Sequence, residues 1–254
     1  MSYSTTFAPA AVSGNSLLDG LGPEEYERLR HLFKTVELQP RQTLYAPGDA
    51  VTHAYFPAGA VTTVVATMDD GSTAETAMIG SDGVVGVGAA AGHNGVARHW
   101  TRALLPGDAL RVEAQALREV FEESPAWRDS LLRYYGVLIG QVSRRAICNA
   151  RHRLNERLST WLLMVRDRAT GDDFPLTQET ISRQLGVRRA GVNECVVALQ
   201  RRGVIDHRRG HIRVLRGDAL EESACSCYPA CKEEARWAER GAGLLKAGPG
   251  TVLH

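Results

Sequence analysis

The sequence predicts an α+β chain with an N-terminal antiparallel β-roll, a long helix and a C-terminal winged helix-turn-helix. Three observations carry that prediction: glycine-marked turns at a near-constant interval, a helical stretch that opens after a serine-proline pair, and two short helices around one glycine followed by a hairpin. The 254 residues, 44% of them apolar, suffice for two modest cores. The formal net charge of +1 means that any polyanion-binding surface must come from local clustering.

The N-terminus lacks a basic segment followed by an apolar core, and no apolar run approaches the roughly 20 residues of a membrane span. A cytoplasmic protein without membrane contact is expected. After a short opening helix, NSLLDGLGPEEYERLRHLF, glycines recur at Gly48, Gly59, Gly71, Gly83, Gly95 and Gly107, in steps of 11, 12, 12, 12 and 12. Their neighbours, as in APGDA, DDGS and HNGV, supply turn-forming backbone angles. AVTTVVATM and STAETAMI are β-rich runs between them. Short strands at this spacing suggest a sandwich, barrel or jelly roll. His53, His93 and His99 form no H-x-H pair, which argues against a cupin-like metalloenzyme, and GxSxG, HExxH and Walker loops are absent. No catalytic constellation is present, so an enzyme is not expected.

AQALREVFEES reads as a helix that ends where Ser124 can cap a longer one starting at Pro125. Along the second helix Leu131, Tyr135, Leu138 and Val142 step by 4, 3 and 4. That stripe fits a homodimer seam and equally fits packing on the same chain's β-domain; Gly136 and Gly140 tilt the reading towards a partner helix. Another step of 3 reaches Arg145 and ends the apolar seam. A change of phase near residue 150 divides the chain into a sensor β-domain (15–123), a dimerisation helix (124–150), a DNA-binding domain (151–222) and a cysteine-containing tail (223–254).

In FPLTQETISRQLGVRRAGVNECVVALQRRG, Thr177 is placed to cap a helix, Leu176 and Ile181 form a hydrophobic staple, and Gly186 can take the left-handed conformation that stops it. Buried-type residues Ile181, Leu185, Val187, Val192 and Cys195, with small Ser182 and Gly186, give the spacing of two steeply crossing helices. The outer face is left to Arg188, Arg189, Ala190, Gly191, Asn193 and Glu194. Arginine can grip guanine in two places, small residues let a helix sink into the major groove, and Asn193 and Glu194 could face adenine and cytosine. Thr177 and Gln178 are further DNA-binding candidates. VIDHRRGHIRVL reads as a wing, whose His207, Arg208 and Arg209 lie near the backbone of a bound duplex. From Arg183 to Arg216, nine arginines face two acids, a local charge of +7.

This order of parts, with LTQETISRQLGVRRAGVNECVVALQRRGVI at its end, resembles the Crp/Fnr family of bacterial transcription regulators over roughly residues 15–228. The resemblance implies a cyclic-nucleotide-binding-like β-roll, a homodimer on an inverted-repeat DNA site, and contact with RNA polymerase. Relatives reading the consensus half-site carry Arg-Glu and a second Arg four residues further; here Arg189 matches, but Ala190 and Glu194 depart, so the operator should differ. In the stretch GVVGVGAAAGHNGVARHW, where Gly86, Gly88, Arg98 and His99 are the candidate effector-pocket residues, no acid lies between Gly83 and Gly107 and Arg98 precedes a histidine. An unmet ribose hydroxyl costs on the order of 1–3 kcal/mol, so cAMP binding is not expected. Cys225, Cys227 and Cys231 are three thiols, one short of the usual four for a metal or cluster, and the tail is expected to be exposed and without a cofactor. The alternative reading is a ligand- or redox-sensing protein-interaction module that does not recognise promoters.

Overall fold

A computed structural model describes residues 13–90 and 95–239 of the chain. Residues 91–94 of the effector stretch, including His93, and 240–254 of the tail lie outside the described residues. The opening segment is two helices rather than one: α1 (Ser16–Asp19) and α2 (Pro23–Leu29), with a 3-10 turn over Arg30–Leu32. Gly22 at φ 85 and Pro23 at the first helical position break the continuity that the apolar pattern suggested. Buried Asn15 ties this segment down, donating from Nδ2 to the carbonyls of Pro57 and Gly83 at 2.9 Å each.

The β-domain follows as β1 (Lys34–Leu38), β2 (Thr43–Tyr45), β3 (His53–Pro57), β4 (Val61–Thr67) and β5 (Thr73–Ile79), then the short helix α3 (Val87–Ala90), β6 (Trp100–Leu105) and β7 (Gly107–Glu113). Two antiparallel sheets, ordered β1-β7-β3 and β2-β6-β4-β5, form the roll. Gly83 serves packing as well as turning: a Cβ there would fall 2.5 Å from the ring of Tyr134.

Helix α4 (Ala114–Glu123) leads into α5 (Pro125–Arg151), which Ser124 caps by accepting the Trp127 amide. The inward face of α5 is Trp127, Leu131, Tyr134, Leu138, Gln141, Arg145 and Cys148, in steps alternating between 4 and 3. Six of the seven are buried and Leu138 is partly so. This overturns part of the seam reading, because Leu131 is fully buried in its own chain's core beside Phe56 and Trp127. The stripe does not stop at Arg145 either. The Gln141 amide pairs with both backbone groups of Met78 in β5 at 2.9 and 3.1 Å, and Arg145 pairs with the buried Glu75 carboxylate, which also accepts from Trp161 Nε1 at 2.9 Å. Burial pushes the Glu75 carboxyl up, against the pull of Arg145 and Trp161.

Next come α6 (Leu154–Arg168), β8 (Asp173–Phe174), α7 (Gln178–Leu185), α8 (Arg189–Arg201), β9 (Ile205–Arg208), β10 (His211–Val214), α9 (Gly217–Glu222) and α10 (Cys227–Glu239). The cysteine segment expected to be an exposed tail is a helix packed on α5, and Cys225 and Cys227 are buried. Its apolar and thiol side chains give it something to bury against α5 and α6. Arg144 pairs with Glu234 of α10 at 2.5 Å, and Gly140 faces that same carboxylate. Gly140 therefore makes room for α10 of its own chain rather than for a second copy. One hydrophobic cluster joins Val61, Met78, Leu104 and Leu105 of the roll to Trp161, Phe174, Ile181 and Leu199 of the C-terminal part.

A candidate nucleic-acid interface

Thr177 caps α7 by accepting the Thr180 amide at 3.0 Å, and Leu176 and Ile181 are both fully buried. Gly186 at φ 63, ψ 42 ends the helix in the left-handed conformation. With Leu185, Val192 and Val196 buried below, the two helices cross and α8 turns its other face outward. Arg188, Arg189, Ala190, Asn193 and Glu194 are exposed there. Gln178 and Asn193 are bridged by a 3.0 Å hydrogen bond, which fixes the N-terminal ends of α7 and α8 relative to each other.

Gly191 does not belong to that face. A Cβ on it would stand 2.9 Å from Leu154 Cδ2, so the missing side chain lets α8 approach α6. Behind α8, β9 and β10 form the wing, whose turn takes Arg209 (φ 50) and Gly210 (φ 80) through left-handed backbone. β8 pairs with β10, and Asp173 binds Arg213 at 2.7 Å and His211 at 3.1 Å. These two partners, Arg213 foremost, hold the Asp173 carboxyl below the usual carboxylate range. His207 is half-buried with its Nε2 enclosed and without a hydrogen-bond partner among the described residues, so it faces less outward than a wing contact requires.

The nine arginines divide into two groups. Arg183 pairs with Glu179, Arg208 with Asp206 and Arg213 with Asp173, while Arg216 holds the carbonyls of Arg202 and Gly203 at the end of α8. Arg202 also donates to the Ser223 hydroxyl. Arg188, Arg189, Arg201 and Arg209 are exposed and make no hydrogen bond or ion pair among the described residues. They lie along one helix and the wing tip, and a polyanion would find them unneutralised.

The effector candidates are not gathered into a built site. Gly86 packs so closely on β3 that a Cβ would lie 2.7 Å from the His53 carbonyl, and Gly88 lies in α3 beneath the Tyr135 hydroxyl. Arg98 and His99 are exposed, and their side chains make no hydrogen bond among the described residues. A cavity of about 240 Å³ lies instead along α5, lined by Leu17, Met78, Asp82, Tyr134, Gln141 and Arg168, none of them among the four. Composition gave no signal for it, because its lining comes from five separate stretches. Nor do Cys225, Cys227 and Cys231 form a common set: Cys148 and His152 take the place of Cys231 beside the first two.

No helix among the described residues is long and apolar enough to cross a membrane. A β-roll, a long helix and a winged helix-turn-helix with an open cationic face define a DNA-binding transcriptional regulator. Residues 156–223 match the family model described as the Crp-like helix-turn-helix domain. Those residues therefore form a Crp-like helix-turn-helix domain, and the fold of the chain as a whole is shared with solved regulators of the Crp/Fnr type. FixK2 from Bradyrhizobium japonicum has the same fold at a TM-score of 0.64 and 15% identity, over 76% of this chain and 98% of that one. A Crp-family transcriptional regulator from Thermus thermophilus gives 0.63 and 18%, over 74% and 96%. CLP, the c-di-GMP-responsive global regulator of Xanthomonas campestris, gives 0.60 and 16%, over 74% and 96%. No curated protein matches the chain by sequence.

Proposed function

We propose that the protein is a homodimeric regulator that reads an inverted-repeat promoter site with two α8 helices in successive major grooves, independently of cAMP, and contacts RNA polymerase from that position. The observation that carries the reading is the set of four uncommitted arginines on α8 and the wing, in a stretch, Arg183–Arg216, whose other five arginines each hold a carboxylate, a hydroxyl or backbone carbonyls. The dimer reading is supported by α5. Leu132, Ile139, Val142 and Ile147 are large apolar side chains left 41–64% exposed on one helix, and a Cβ on Gly136 would meet nothing within 4 Å among the described residues. These residues, with partly exposed Tyr135, are a better seam than Leu131. The absence of any acid between Gly83 and Gly107, and the close packing of Gly86 on His53, support cAMP independence.

Selection of binding sites from randomised duplexes tests recognition, symmetry and base preference together. A two-fold symmetric site is expected. Arg189→Ala should change preference at one symmetric position by about 1–3 kcal/mol, whereas Arg209→Ala should weaken all sequences alike and flatten the salt dependence. A protein that selects no sequence at low ionic strength, with or without cell extract, is not a promoter-reading regulator.

A further inference from the structure

The fold brings together two pairs of ligand-bearing side chains that lie more than seventy residues apart in the sequence. Cys148 in the last turns of α5, His152 at its C-cap, and Cys225 and Cys227 at the entry to α10 each offer one ligand atom, and all four atoms lie within 4.8 Å of one another. We propose that these residues form a closed, mononuclear Cys3His zinc site that clamps α10 to the hinge between the long helix and the DNA-binding domain.

The spacing selects the kind of centre. Tetrahedral zinc with Zn–S of about 2.3 Å and Zn–N of about 2.0–2.1 Å sets its ligand atoms roughly 3.5–3.8 Å apart. Cys148 Sγ and Cys225 Sγ are 3.6 Å apart, and Cys227 Sγ and His152 Nδ1 are 3.5 Å apart. No pair exceeds that tetrahedral edge by more than about 1 Å. An iron–sulfur cluster would place its own iron and sulfide atoms between the thiolates and spread them further. A Cys148–Cys225 disulfide would account for one pair and leave Cys227 and His152 gathered around nothing.

The surroundings fit an anionic centre. Three thiolates and one divalent ion carry a net charge of −1. Thr160 Oγ1 accepts the Cys225 backbone amide at 3.1 Å and lies 3.0 Å from Cys225 Sγ, so its hydroxyl proton is free to be donated to sulfur. The buried Nε of Arg157, in α6, has no hydrogen-bond partner among the described residues. The same guanidinium donates through Nη2 to the Leu185 carbonyl at 2.6 Å, at the end of the first helix of the helix-turn-helix. All three cysteines are under 10% exposed, as expected of a structural rather than a catalytic zinc.

The full chain, purified under reducing conditions without chelator, should carry close to one zinc per chain by elemental analysis. Cobalt(II) in its place should give intense visible ligand-field bands and a near-ultraviolet thiolate charge-transfer band. Cys148→Ser, Cys225→Ser and Cys227→Ser should each abolish the cobalt spectrum, while Cys231→Ser and Cys195→Ser keep it. His152→Cys should retain the ion with a stronger charge-transfer band. Thr160→Val should weaken cobalt binding about 10–100-fold. Circular dichroism separates metal loss from misfolding in the variants, and the wild-type cobalt titration stands apart from both. The proposal is overturned by reduced wild-type protein that takes up neither zinc nor cobalt, by an iron–sulfur absorption band, or by a site that depends on Cys231 but not on His152.

Discussion

The helix-turn-helix and the long helix α5 are built from the same alphabet of apolar and cationic residues, yet only the first can be interpreted from its own stretch of chain. In α7 and α8 the main determining signals act within about a dozen residues: Thr177 caps the start of α7, Gly186 stops its end, and Ile181, Leu185 and Val192 share one buried cluster. Helix α5 has three faces with three destinations. One meets the roll, one meets α10 some ninety residues downstream, as in Arg144 with Glu234, and one is open. A periodicity sums over those faces and cannot assign them.

The buried pair of Arg145 and Glu75 is where this contrast has its largest energetic consequence. Removing the guanidinium with Arg145→Met leaves a carboxylate enclosed beside Trp161 Nε1, a loss of about 3–5 kcal/mol at neutral pH by denaturant unfolding. The sign of its pH dependence is fixed. Burial already raises Glu75 in the folded state, so the folded protein holds that proton more tightly than the unfolded chain does. Stability of the variant should therefore recover as pH falls towards the ordinary glutamate value and worsen as pH rises. A variant equally destabilised at both ends of that range would show that Glu75 is not the group left stranded.

The two sides of α5 can be set against each other directly. Leu131→Ala removes a fully buried side chain from the Phe56–Trp127 cluster and should cost about 2–5 kcal/mol. Ile139→Asp, at a position 64% exposed, should leave monomer unfolding within about 0.5 kcal/mol of wild type and shift sedimentation from dimer to monomer. If Ile139→Asp leaves the dimer intact, the open face of α5 is not the seam.

The sequence made the roll's turns, the Ser124–Pro125 junction, the cap at Thr177, the stop at Gly186 and the Arg209–Gly210 wing turn legible, because each is set by residues adjacent in the chain. The phase of α5 was not legible: its buried stripe passes through Gln141 and Arg145, polar residues that look like solvent positions until Met78 and Glu75 of β5 are placed opposite them. The same holds for the cysteines. Three thiols near the C-terminus suggested an incomplete ligand set, and the completing Cys148 and His152 come from a helix about seventy-five residues earlier. Gly191 misled for the opposite reason, since a small residue on a recognition helix can admit DNA on one side or a neighbouring helix on the other, and Leu154 decides it.

Gly186 is the position where local and long-range determinants meet, and it sets the finest test. Its left-handed backbone is a local requirement, and an L-residue there costs about 1–2 kcal/mol. A Cβ would also stand 3.1 Å from Ala74 Cβ and 3.4 Å from the Thr73 carbonyl, in the hairpin of β4 and β5 that receives Arg183's carbonyl through the Thr73 hydroxyl. Gly186→Ala should thus lose about 1–2 kcal/mol by thermal unfolding. Gly186→Asn, whose side chain tolerates left-handed backbone, should regain most of that loss if the backbone dominates. Should asparagine be no better than alanine, the contact with Ala74 is the controlling one, and the packing of the helix-turn-helix on the β4–β5 hairpin fixes that glycine more than the turn does.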